Sequence, residues 1–99
     1  MKIKVSQLEN KNQFIIENKH NVFFQSYDSV CARYNKKTHT LYVNKDYDYS
    51  NTTRKHFYIF INEYVCVSAI ENALYSKNKR KAIKQLIKAH VIKIDKELD

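Results

Sequence analysis

The sequence predicts an α+β domain: a three- or four-stranded antiparallel meander, packed by a central helix and a C-terminal helical region. Three observations carry that expectation. Short runs of β-branched and aromatic residues alternate with polar turn residues across residues 12–44. A stretch with a capping residue, 50–64, then repeats large apolar groups every three or four positions. From residue 68 to residue 94 the chain becomes basic and keeps a helical period. Ninety-nine residues suit one domain, 1–99, with enough apolar content for a modest core that needs neither metal nor disulfides.

Taken in order, residues 1–8 alternate weakly through Ile3 and Val5, as an edge strand or a loose lead-in, and residues 10–12 signal a turn. Residues 13–17 (QFIIE) and 22–27 (VFFQSY) read as strands joined by Asn18, Lys19, His20 and Asn21, a connection of hairpin length. Asp28 and Ser29 mark a kink, bulge or turn. Residues 30–34 resume in extended form, with Val30, Ala32 and Tyr34 on one face and Ser29, Cys31 and Arg33 on the other. Residues 35–38 turn the chain into a last strand, 39–44, with Leu41 and Val43 on one side. Helices can cover one face of such a meander while the other stays wet. Glycine and proline are both absent, so the turns are expected to rest on Asn, Asp and Ser, whose side chains bond the local backbone.

The central helix begins where the side chain of Ser50 or Asn51 can accept the unpaired N–H groups of a first turn. Phe57, Phe60, Ile61 and Tyr64 then form one stripe. Residues 65–67 are a connector or a continuation, and Ser68 caps a short helix over residues 69–76, with Ile70 and Leu74 inward. After an interruption at Asn78, residues 79–94 carry the clearest amphipathic pattern, its stripe made by Ile83, Leu86, Ile87, His90, Val91 and Ile94. Residues 95–99 read as a frayed tail.

Lysine (15), asparagine (10), isoleucine (10) and tyrosine (8) dominate the composition, a bias toward A/T-rich codons that points to a low-GC bacterium or its phage. Cys31 and Cys66 read as buried free thiols in a reducing cytoplasm. The N-terminus lacks the long apolar core of a signal peptide, and the longest apolar run, residues 57–61, is too short to cross a bilayer. The expectation is a cytoplasmic protein of a bacterial host cell, with no membrane partner.

The net charge of +8 is local. Lys77, Lys79, Arg80, Lys81, Lys84, Lys88 and Lys93 fall in a span with no acid between Asn72 and Ile94, while the remaining positions carry 11 basic residues against 10 acidic ones. Lys77, Lys81, Lys84 and Lys88 are four, three and four residues apart, on one helical face with Arg80 beside them. That row extends about 16 Å at the helical rise, enough to meet several phosphates. Lysine suits backbone attraction rather than bidentate base reading, so the partner is expected to be DNA, RNA or the acidic surface of a nucleic-acid-handling protein. A solvated face in a lysine-rich chain is the plain alternative.

Arg54 and Lys55, at the start of the central helix, are further binding candidates, because helix N-termini favour anions. Tyr27, Tyr34 and Tyr42 would extend a binding surface if they shared an exposed face with Arg33 and Lys36. Enzymatic readings are weak: Asp46 and Asp48 near His56 could serve as acid–base partners, but a turn rich in Asp and Tyr explains them as well. His20, His39, His56 and His90 show no metal-ligand spacing, no glycine loop exists to cradle a phosphate, and no cofactor is implied. His90 reads as an interior or boundary histidine.

Phe24, Ser26, Tyr27 and Ser29 form an aromatic–x–Ser–Tyr–x–Ser element, and Tyr49, Ser50, Thr52, Thr53, Lys55 and Phe60 lie in a Tyr–Ser–x–Thr–Thr–x–Lys helix start. On these residues, over roughly 12–64, the chain resembles a family of short phage and plasmid proteins of unknown function, although Tyr47 stands where that family often has tryptophan. The resemblance implies an inhibitor of host defence, including the anti-CRISPR kind.

Three readings follow. The first is a non-enzymatic inhibitor of a CRISPR effector or other defence nucleoprotein, acting through Lys77, Arg80, Lys81, Lys84 and Lys88. The second is direct nucleic-acid binding by the same helix. The third is a homodimer or larger homo-oligomer paired through Ile83, Leu86, Ile87 and Val91.

Overall fold

The computed structural model describes residues 4–7 and 12–98. Five strands come first: β1 (Lys4–Gln7), β2 (Gln13–Glu17), β3 (Asn21–Ser26), β4 (Ser29–Asn35) and β5 (Thr40–Val43). Three helices follow, α1 (Asn51–Tyr64), α2 (Ser68–Leu74) and α3 (Lys79–Lys88), and a last short strand, β6 (Ile92–Ile94), returns to the sheet. Among the described residues the sheet has six strands in chain order, antiparallel from β1 to β5, with β6 parallel to β5. The fold is α+β as expected, with the four predicted strands extended by one at each edge. Ile3, Leu8 and the turn signal at 10–11 lie outside the described residues.

The alternation of each strand sends one set of side chains to the helices. Ile15, Val22, Phe24, Tyr34, Leu41 and Val43 are buried there with Phe57, Phe60 and Ile61 of α1. The Phe24 ring stacks on that of Phe60 at a centroid distance of 5.8 Å and meets Phe57 at 6.3 Å. Burying a phenylalanine side chain contributes about 1.5–3 kcal/mol, so these rings anchor helix to sheet. The opposite face carries a cross-strand row, Val5–Ile16–Phe23–Arg33–Tyr42–Lys93, read from successive register pairs. None of these six belongs to the buried core.

One phase differs from expectation. The β3–β4 register slips between Phe24 and Gln25, which pair with Ala32 and Val30, so Cys31 is an extra residue on β4. The bulge turns Cys31 inward beside Ala32, and both are buried. Cys31 and Cys66 are free thiols; Cys66, however, is exposed.

Helix α1 starts as its sequence directs: the Ser50 Oγ accepts from the Thr53 N–H at 3.1 Å. Helix α2 does not, since Val67 is its N-cap and Ser68 its first residue, with no side-chain cap. Helix α3 is capped by Asn78, whose Oδ1 accepts from the Lys81 N–H at 3.1 Å.

The end of α3 corrects the expected helix over 79–94. The His90 N–H bonds the Ile87 carbonyl and the Val91 N–H bonds the Leu86 carbonyl, while His90 takes a left-handed φ of 62°. That pair of bonds is the Schellman arrangement, which satisfies the last carbonyls and reverses the chain. Ile92 is then free to pair with Leu41 as β6. His90 is exposed at this cap instead of lining an apolar stripe.

Among the described residues, the absence of glycine is felt at three such positions. Tyr27, His39 and His90 all adopt positive φ, a conformation that costs a non-glycine residue about 1 kcal/mol. Asparagines instead serve as side-chain acceptors: Asn18 for His20 and Asn21, Asn35 for Lys37 and Thr38, and Asn44 for Asp46. The expected dependence on Asn therefore holds for hydrogen bonding and fails for the left-handed positions. Among the described residues no helix is long and apolar enough to cross a membrane.

Candidate functional site

Helix α3 meets the core through few groups. Ile83 is buried, while Ala82, Leu86 and Ile87 are half-buried against the core cluster. The stripe considered for self-pairing therefore covers this chain's own core, leaving Val91 at the surface. The remaining positions are exposed, and all but Gln85 are cationic.

Those cations divide into two groups. Lys79 and Arg80 hold α3 to the body: the Lys79 Nζ lies 5.9 Å from the Tyr58 ring centroid, and the Arg80 Nε lies 3.5 Å from the Asp48 carboxylate. Lys81, Lys84 and Lys88 are exposed and, among the described residues, have no carboxylate within ion-pair distance. They share a face and span about 10 Å at the helical rise. Lys77 is exposed too, but it lies in the turn before Asn78, outside the helix. The expected 16 Å row is thus shorter, with Lys77 at its end and Arg80 partly neutralised.

The Asp48–Tyr58–Arg80 corner also touches Tyr47. Burial, with the Asp48 carboxylate adding to it, pushes the Tyr47 phenol up to about 12. Tyr58 is raised chiefly by burial as well.

Of the further candidates, Tyr34 and Arg33 do not join this face. Tyr34 is core: it is 2% exposed, its hydroxyl pairs with the His39 Nδ1 at 2.8 Å and accepts from the Cys66 N–H at 3.2 Å. It is therefore no surface residue, because strand alternation directs it away from Arg33. Arg33 lies on the open face of the sheet, with its guanidinium 4.2 Å from the Tyr42 ring centroid, bonded to Asn21 and 3.8 Å from Asp95. Arg54 donates to the Asn51 Oδ1 within the first turn of α1, and Lys55 is exposed one position on.

A second feature is not visible in the sequence, where Ser50 reads as a cap and Ser26 and Thr53 lie in separate elements. The two sequence elements, separated by some twenty residues, meet in space around a cleft of about 570 Å³. Ser26 at the end of β3 and Thr53 in α1 place their hydroxyl oxygens 2.8 Å apart, and Ser50 donates to the same Thr53 oxygen at 3.1 Å. Cys31 also lines the cleft, and burial pushes its thiol up to about 11, out of the range of a reactive nucleophile. Among the described residues no group of His, Cys, Asp or Glu is placed to hold a metal.

A model described as a family of unknown function matches residues 1–85. That span reaches beyond the residues 12–64 on which the resemblance rests, and takes in β1 to β5, α1, α2 and α3 as far as Gln85. No curated protein and no solved structure matches the chain.

Proposed function

The chain belongs to the family of unknown function DUF8033, and from that premise we propose a non-enzymatic binding protein that engages a polyanionic partner through the outer face of α3. The observation that carries this reading is the set Lys81, Lys84 and Lys88: three exposed ammonium groups on one face, unmatched by carboxylates among the described residues, in a chain of net charge +8. Lys77 extends the set toward the preceding turn. Arg80 keeps more than half of its side chain exposed and adds to the field. In the form of this function suggested by the resemblance to phage and plasmid proteins, the partner is a host defence nucleoprotein such as a CRISPR effector. The helix would then compete for the channel that holds its nucleic acid. Direct binding of DNA or RNA by the same face uses the same chemistry.

Salt dependence is the test. Three lysines on duplex phosphates give a log–log slope of affinity against salt of about −2.7. A slope near zero would remove α3 as an electrostatic contact. For the inhibitor form, added protein must block target binding by the nucleoprotein, and raised salt must relieve the block.

A further inference from the structure

The cleft between the β3–β4 hairpin and the start of α1 is independent of the basic face, and its lining has a chemistry of its own. We propose that it binds a neutral sugar ring with adjacent hydroxyl groups, either the ribose of a nucleoside or a unit of a free saccharide. Ser50, Thr53 and Ser26 supply three hydroxyl protons; Ser50 to Thr53 uses one and the Thr53–Ser26 contact uses another. One O–H remains to donate outside the trio. Helix capping accounts for the Ser50 oxygen, which accepts the Thr53 N–H, but not for this surplus.

Asp46 supplies the complementary group. Its backbone is fixed on both sides: its N–H bonds the Asn44 Oδ1 at 2.8 Å, and its carbonyl accepts from the Tyr49 N–H at 3.1 Å. Asp46 is half-buried and lines the cleft, and its carboxylate has no hydrogen-bond or ion-pair partner among the described residues. A carboxylate held in this way accepts hydrogen bonds from two neighbouring hydroxyls at once. Among the described residues no lysine or arginine lines the cleft, so an anionic ligand would meet the Asp46 charge with no described side-chain cation to offset it. A phosphate group is therefore disfavoured and a neutral polyol is favoured.

Tyr27 and Tyr49 provide the flat apolar surfaces that the C–H face of a sugar, or an attached base, requires. They are 49% and 77% exposed and pack on no other ring among the described residues, unlike Tyr47 and Tyr58. Tyrosine offers such area with few rotatable bonds and a polar tip. Tyr27 also holds a left-handed φ of 54°, which places a large ring where glycine would be conformationally easier. The volume, about 570 Å³, is in the range of small-ligand pockets and accommodates a nucleoside or a disaccharide.

The experiment is a ¹H–¹⁵N titration of the full chain with adenosine, 2′-deoxyadenosine and maltose. The proposal expects saturable shifts at Ser26, Tyr27, Tyr49 and Thr52 with adenosine or with maltose. If the ribose diol is the ligand, 2′-deoxyadenosine binds about tenfold or more weakly, a difference of about 1.4 kcal/mol; saturation by maltose assigns a saccharide. Asp46→Ala should abolish the shifts with an unchanged Tm, and Asp46→Asn serves if the alanine variant fails to fold. Replacement of Lys81, Lys84 and Lys88 by glutamate should leave them intact. Absence of saturable shifts with both adenosine and maltose at millimolar concentrations overturns the proposal, as does undiminished affinity in the Asp46 variant.

Discussion

Helices α1 and α3 dock on the same hydrophobic core, yet they are built from opposite materials. Helix α1 buries Thr53, His56, Phe57, Phe60 and Ile61, and its rings interlock with Phe24 of the sheet. Helix α3 buries Ile83 and turns its cations outward. The first is a keel whose side chains are fixed by packing. The second is held by an apolar edge, one asparagine cap and the Lys79 and Arg80 contacts, which leaves its outer face open to change without cost to the fold. Groups that the fold does not need are where binding chemistry can be placed.

The sharpest way to break that contrast is to truncate the keel. Phe60→Ala should destabilise the domain by about 3–5 kcal/mol, read as a shifted denaturant midpoint, because the cavity lies between α1 and β3 where collapse is hindered. A loss under about 1 kcal/mol would mean that α1 is not the anchor.

Alkaline titration gives the next effect. Tyr47 and Cys31 are both held protonated by burial, so the folded-state values lie above the ordinary 10.0 and 9.0, at about 12 and about 11. The stability they contribute is complete below pH 9 and is lost as pH rises through 11 to 12. Urea midpoints measured across that window should fall, and Tyr47→Phe should lessen the fall.

Caps come third. Ser50→Ala should cost about 1 kcal/mol, since it leaves the Thr53 N–H without its acceptor and breaks the hydroxyl trio as well. His90→Gly should stabilise by about 0.5–1 kcal/mol, because glycine accepts the left-handed φ of the α3 cap without strain. A destabilised His90→Gly would show that the imidazole makes a contact worth more than the backbone strain.

What the sequence reveals follows the same division. The start of α1 and its stripe are legible because Ser50, Phe57, Phe60 and Ile61 act locally, at helical spacing. The start of α3 is legible at Asn78 for the same reason. Its end is not, because the usual glycine signal is replaced by His90 and the apolar residues Val91 and Ile94 continue to fit a helical count by coincidence. The bulge at Cys31 is invisible to alternation, which cannot register one inserted residue. The cleft is hidden because its parts, Ser26 and Thr53, are 27 positions apart and meet only through the packing of α1 on β3.

The central claim is that the outer face of α3 binds a polyanion and does nothing for folding. The most direct measurement is the paired affinity and thermal stability of the protein with Lys81, Lys84 and Lys88 changed to glutamate. The account predicts a Tm close to that of the unchanged chain, with binding to a nucleic-acid duplex abolished and its salt dependence gone. Undiminished binding with the same Tm would contradict it, and so would an unfolded variant.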